Sequence, residues 1–171
     1  MAGLSLMPTE GEAATYMEAT DFGGNFNAAT DLTSTFSNFL NDSIITGSIQ
    51  PVETDTLDFF RVNVAPNTAT SIPFSVFSTI GNSAFGFDVY NSGGNYIWNG
   101  YTGLMVSADT TYEGVISFMT PADGIVIFGT SYESGPATIN YSIGAVPEPT
   151  SALLAAAGIA ASALVRRRNR A

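Results

Sequence analysis

The chain predicts an all-β fold, an antiparallel β-sandwich followed by a single C-terminal hydrophobic helix. Three observations carry this. Apolar and polar residues alternate in short runs, the period-two pattern of strands with one buried face. The runs recur every 10–15 residues between Gly, Asn, Asp and Pro, a spacing that suits hairpins better than crossover helices. Residues 150–165 then form one uncharged apolar run between a proline motif and an arginine cluster.

Residues 1–13 are weakly apolar and end in Gly11-Glu12-Ala13, a small-x-small cleavage pattern. Two readings stand: the back half of a signal peptide whose mature chain starts at Ala14, or a short disordered leader. Residues 14–145 form the sandwich domain, long enough to bury a core. Residues 28–40 place Leu32, Phe36, Phe39 and Leu40 at helical spacing, but Thr and Ser dominate, so a loop or one helical turn is expected. Residues 44–49 read as a short strand. Residues 58–64 alternate, with Phe60, Val62 and Val64 on one face and Phe59, Arg61 and Asn63 on the other. Ile72, Phe74 and Val76 alternate next, and Pro73 demotes their strand towards a sheet edge.

Phe85, Phe87 and Val89 lead into Asn91-Ser92-Gly93-Gly94 and then Tyr96-Ile97-Trp98, a hairpin with suitable turn residues. Residues 104–106, 112–119, 124–129 and 138–143 complete the strand set. Asp88 lies opposite Phe87 in the alternation and is expected to face solvent.

Composition excludes several functions. All 15 acidic residues precede residue 150, against one basic residue there, Arg61, which leaves −14 for that part of the chain. Such a body does not bind nucleic acid by neutralising phosphates. It stays soluble by self-repulsion and attracts cations. His, Cys and Lys are absent, so Ser-His-Asp, Cys-His and Ser-Lys catalysis are impossible. Zinc, haem and iron–sulfur sites lose their usual ligands. A carboxylate pair could still hydrolyse a glycoside, but nothing selects a pair among the acids. No catalytic residue is assigned, and the chain is expected not to be an enzyme.

Two clusters are candidate sites. Glu53, Asp55 and Asp58 form an acidic group at the start of a strand, and calcium takes six to eight such oxygen ligands. The alternative is a set of solvated loop carboxylates. Tyr90, Tyr96, Trp98 and Tyr101 cluster in sequence and suit a sugar-stacking face; the alternative is core or cross-strand packing.

The C-terminus combines three pieces in order. Val146-Pro147-Glu148-Pro149 stays extended because each proline restricts itself and its predecessor. As a helix, residues 150–165 would span roughly 24 Å at about 1.5 Å per residue. That is short of a hydrocarbon core of about 30 Å, a gap that arginine stems or local thinning can close. Arg166, Arg167, Arg168 and Arg170 would remain cytoplasmic by the positive-inside rule.

This order resembles the PEP-CTERM sorting signal of Gram-negative bacteria, with residues 146–171 as the signal. The resemblance implies an exosortase-type processing enzyme as partner, transient membrane insertion, and release to the cell surface or extracellular matrix. It also implies a bacterium that makes exopolysaccharide, itself a candidate partner.

The body carries a second resemblance. Asn41-Asp42-Ser43, Gly47-Ser48-Ile49, residues 55–62, Val89-Tyr90-Asn91-Ser92-Gly93-Gly94, residues 121–129 and Ile139-Asn140-Tyr141-Ser142-Ile143 follow one another as in the bacterial pre-peptidase C-terminal domain. That family implies a jelly-roll sandwich that binds or assists and does not catalyse. In some relatives calcium sits between an Asn-Asp lead-in and two Asp residues three apart. Asn41, Asp42, Asp55 and Asp58 match those positions, while Ser37 and Phe39 replace two glutamates, so calcium binding is expected to be weak or absent. No other cofactor is implied. The expected role is structural or adhesive; a calcium-dependent glycan- or protein-binding module and a small glycosidase are the alternatives.

Overall fold

The computed structural model describes residues 14–18, 22–40, 43–51 and 56–144. Ten strands are present among them: β1 (Ala14–Met17), β2 (Thr30–Asp31), β3 (Ser43–Ile49), β4 (Leu57–Asn63), β5 (Ala69–Ser78), β6 (Ser83–Asn91), β7 (Tyr96–Val106), β8 (Thr110–Met119), β9 (Ile125–Ser134) and β10 (Ile139–Gly144). They form two five-stranded sheets. Sheet A has the order β1-β3-β10-β5-β8 and sheet B the order β2-β4-β9-β6-β7. Pairing is antiparallel except at two short edges, where β1 runs parallel to β3 and β2 parallel to β4. The predicted sandwich is therefore present. The leader (1–13) and the C-terminal helix (150–165) lie outside the described residues.

Alternation builds the core. Phe60 and Val62 of β4, Ile45 and Ile49 of β3, Val76 of β5, and Ile139 and Ile143 of β10 are fully buried between the sheets. Their sequence neighbours face outward, as period-two geometry requires. Phe87 is at the centre, with ring centroids 5.7 Å from Phe74, 5.9 Å from Phe128 and 6.1 Å from Phe85.

Segment 32–40 forms no long helix. The Asp31 carboxylate accepts the Thr33 amide and hydroxyl, and the amides of Thr35 and Phe36 close a single turn on Leu32. Local bonds from short polar side chains compete with helix here. Leu32, Phe36 and Phe39 are nonetheless buried, and the Phe39 amide is anchored on the Asn63 carbonyl.

Two expectations are corrected, and two strands are added. β5 is not an edge strand; it lies between β10 and β8. Pro73 is tolerated because the β10 ladder ends at Phe74–Ile143, one position before the proline would have to supply an N–H on that side. Residues 104–106 are not a separate strand but the end of β7, which runs continuously from Tyr96. The N-terminal edge strands β1 and β2 were not anticipated, since neither shows a strong alternating pattern.

The β6–β7 hairpin forms as expected. Asn91 Oδ1 accepts the amides of Gly93 and Asn95, and Gly94 takes the positive φ of 82° that the turn needs. Beyond the turn, β7 slips against β6 three times, between Phe85 and Phe87, Phe87 and Asp88, and Val89 and Tyr90. Each slip inserts an extra residue into β7. Gly103, at φ 70°, sits in the slip between Phe85 and Phe87.

Candidate functional site

The bulges decide where the four clustered aromatics go. Trp98 pairs with Val89 and Tyr101 with Phe87, so both turn inward and pack on the core. Trp98 is 6.1 Å from Phe87 and Tyr101 is 5.2 Å from Phe74, and the Tyr112 hydroxyl donates to that of Tyr101. Tyr96 pairs with Tyr90, and both lie on the outer face of sheet B. The structure therefore brings Tyr90 and Tyr96 together and separates them from Trp98 and Tyr101.

Two further aromatics join the outer pair. Phe59 of β4 lies 6.1 Å from Tyr90, and Phe26 of the 3-10 helix Phe26–Ala28 meets Tyr90 edge-on at 5.6 Å. Tyr90 and Tyr96 are 4.6 Å apart. The rings form a strip across β4, β6 and β7. Gly129 of β9 lies beneath it, and a Cβ there would come within 2.8 Å of the Phe59 ring and 3.2 Å of Tyr90. Phe59 was legible as outward-facing from its alternation with Phe60. Phe26 carried no signal beyond being aromatic.

Carboxylates border this strip. Asp88 lies across β9 from Phe59, both paired with Gly129. It lies on the outer face, opposite the buried Phe87 as its alternation predicts, and is partly covered there. Burial raises its pKa, the nearby Glu133 charge adds to the rise, and a long bond from the Tyr90 hydroxyl, 3.4 Å, opposes it. The Ser131 hydroxyl donates to Glu133 at 2.6 Å. Burial also raises the Tyr90 pKa.

Of the calcium set, Asn41, Asp42 and Asp55 lie outside the described residues, as does Glu53. Asp58 is fully buried and accepts the Tyr141 hydroxyl at 2.7 Å. For Asp58 the solvated-loop alternative is thus overturned: it shares the inward parity of Phe60 and Val62. The bond ties sheet B to sheet A across the core. Tyr141 reaches it by leaning over Gly47, where a Cβ would strike the hydroxyl. Burial first, and then the Asp58 charge, push the Tyr141 pKa well above the ordinary tyrosine value. Beside them, Glu18 accepts the amides of Phe22 and Ser48 at 2.8 and 2.9 Å, which pins β1 to β3. Among the described residues, no three metal-ligating side chains gather at one place.

The outer face of sheet A is different. Ser48, Asn140 and Phe77 align in one row across β3, β10 and β5, and Thr46, Ser142 and Ser75 in the next. With Met17 and Glu18 they line a groove of about 350 Å³. It is mostly hydroxyls and amides, with Phe77 its one aromatic side chain on that face.

Among the described residues the body is thus a β-sandwich whose last strand, β10, ends at Gly144, immediately before the C-terminal segment. Residues 145–168 match the PEP-CTERM protein-sorting motif. The chain carries the sorting signal of an exported protein that an exosortase processes at the membrane. This includes Val146, Pro147, Glu148, Pro149 and the arginines Arg166, Arg167 and Arg168.

No curated protein sequence matches the chain. Among solved structures it is similar to the pre-peptidase C-terminal domain of collagenase from Bacillus anthracis, at 19% identity and a TM-score of 0.38, covering 57% of this chain and 86% of that one. It is also similar to a structure described as "CBM4 structure and function", at 12% identity and a TM-score of 0.43, covering 57% of this chain and 66% of the other. A third is the Arthrobacter globiformis T6 isomalto-dextranase complexed with panose, at 14% identity and a TM-score of 0.37, covering 54% of this chain and 17% of that one.

Proposed function

We propose that the sandwich is the displayed body of a structural or adhesive protein, delivered to the cell surface or extracellular matrix of a Gram-negative bacterium. The observation that carries this is the junction at Gly144 and residue 145. The sorting motif begins where the last described strand ends, so the signal follows the sandwich directly and does not interrupt it. The absence of His, Cys and Lys from the chain supports a body that binds or builds and does not catalyse.

The test is made in cells. Replacing Pro147, Glu148 and Pro149 with alanine should leave a membrane-retained precursor, while a chain truncated after Ala145 should be released to the medium. Processing and display of the alanine variant at wild-type levels would refute the proposal.

A second reading, a calcium-dependent binding module, rests on the sequence pattern of Asn41, Asp42, Asp55 and Asp58, of which only Asp58 lies among the described residues.

A further inference from the structure

The outer face of sheet A sets rows of Ser, Thr and Asn beside the scattered apolar side chains of Met17, Phe77, Val115 and Met119, whereas sheet B gathers Phe26, Phe59, Tyr90 and Tyr96 into one contiguous strip. Cross-strand packing accounts for part of that strip, because Phe59 and Tyr90 lie on the Gly129 backbone and Tyr90 is the register partner of the fully buried Ile127. Tyr96 is the cross-strand partner of Tyr90, its ring tilted at 4.6 Å from that of Tyr90, yet it stays 57% exposed at the rim of the strip.

We propose that the outer face of sheet B binds an uncharged polysaccharide chain, with Tyr96 and Tyr90 as stacking platforms and Asp88 and Glu133 as acceptors for sugar hydroxyls. Three features select this occupant. A ring face is electronegative and attracts the weakly positive C–H groups on the flat side of a pyranose. A carboxylate offers about four acceptor positions, and the single long bond from Tyr90 leaves Asp88 room for hydroxyl donors. Bonds to an ionised acceptor are stronger than neutral ones, and stronger still where the carboxylate is half-buried. Charge then excludes the anionic alternative. Asp88 and Glu133 border the strip, and the chain before residue 150 carries one arginine against fifteen acids, so a uronate or sulfated chain would be repelled. A sheet face built from neighbouring strands suits a linear chain lying across it, with no deep pocket needed.

This inference is independent of the sorting proposal, and its test uses no cells. The full chain in mild detergent is run in native gels containing dextran, hydroxyethylcellulose, galactomannan or alginate, beside a non-binding reference protein. Retardation is expected in at least one of the three uncharged gels and not in alginate. Tyr96→Ala and Tyr90→Ala should each weaken that retardation about tenfold, a loss typical of removing one aromatic contact. Tyr96→Phe, which keeps the ring, should retain most of the binding. Trp98→Phe, on the inner face, should bind as the wild type does. Wild-type mobility unchanged in all three uncharged gels would overturn the proposal. So would retardation in alginate alone, or Tyr96→Ala binding like the wild type.

Discussion

Replacing Tyr141 with phenylalanine isolates the bond that ties the two sheets together. The ring, its packing and the close approach over Gly47 are kept; only the hydroxyl that donates to Asp58 at 2.7 Å is lost. Both residues are buried, so water cannot replace the donor. A hydrogen bond to a charged group is worth about 1.5–3 kcal/mol, and the expected loss is about 2 kcal/mol at neutral pH. With a urea slope of about 2 kcal/mol per molar, the midpoint should fall by about 1 M with the slope unchanged.

The pH dependence gives a second, sharper readout. The folded-state pKa of Tyr141 lies well above its unfolded value, chiefly from burial and then from the Asp58 charge. A group shifted in that direction stabilises fully below the unfolded pKa of about 10 and progressively less as pH rises towards the folded value. By pH 11 the wild type should therefore lose about 1.4 kcal/mol through this one residue. The phenylalanine variant loses none of it, so the gap between the two should narrow from pH 10 upward. Equilibrium unfolding of a chain ending at Gly144, followed by circular dichroism from pH 7 to 11, measures both effects. Equal midpoints at neutral pH, or a gap constant to pH 11, would show that the hydroxyl does not hold the sheets together.

Two other predictions concern the core and the metal. Phe87→Ala removes the ring that Phe74, Phe85, Phe128 and Trp98 surround, and should cost about 3–5 kcal/mol in urea unfolding; a cost below 1 kcal/mol would mean the site is not packed as described. If Asp58 holds calcium with Asp42 and Asp55, a roughly hundredfold excess over the dissociation constant should add about 2.7 kcal/mol of stability, unmatched by sodium at equal ionic strength and abolished by Asp55→Asn with Asp58→Asn. A calcium-independent melting curve for the wild type would remove the calcium-dependent reading.

Much of the sandwich is determined locally, and the sequence shows it. The alternation of Phe60, Val62 and Val64 against Phe59, Arg61 and Asn63 depends only on strand geometry, and each of those inward residues is buried. Turn chemistry at Asn91 and Gly94 is equally local. The sorting segment is legible because its signal is one of order and composition: prolines, an uncharged run, arginines.

Other features depend on which strands pair, and no single strand carries that information. The three tyrosines and one tryptophan after Val89 look like one cluster in sequence; three extra residues in β7 turn Trp98 and Tyr101 inward and leave Tyr96 outside with Tyr90. Pro73 argues for an edge until β10 is seen to end one residue short of it. β1 and β2 are four and two residues long and exist only because β3 and β4 offer them parallel partners. Asp58 has the parity of a core residue and the chemistry of a surface one. Its sequence neighbours cannot resolve that conflict. The hydroxyl that does so comes from Tyr141, 83 residues away on the opposite sheet, and only the packing of one sheet on the other brings the two together.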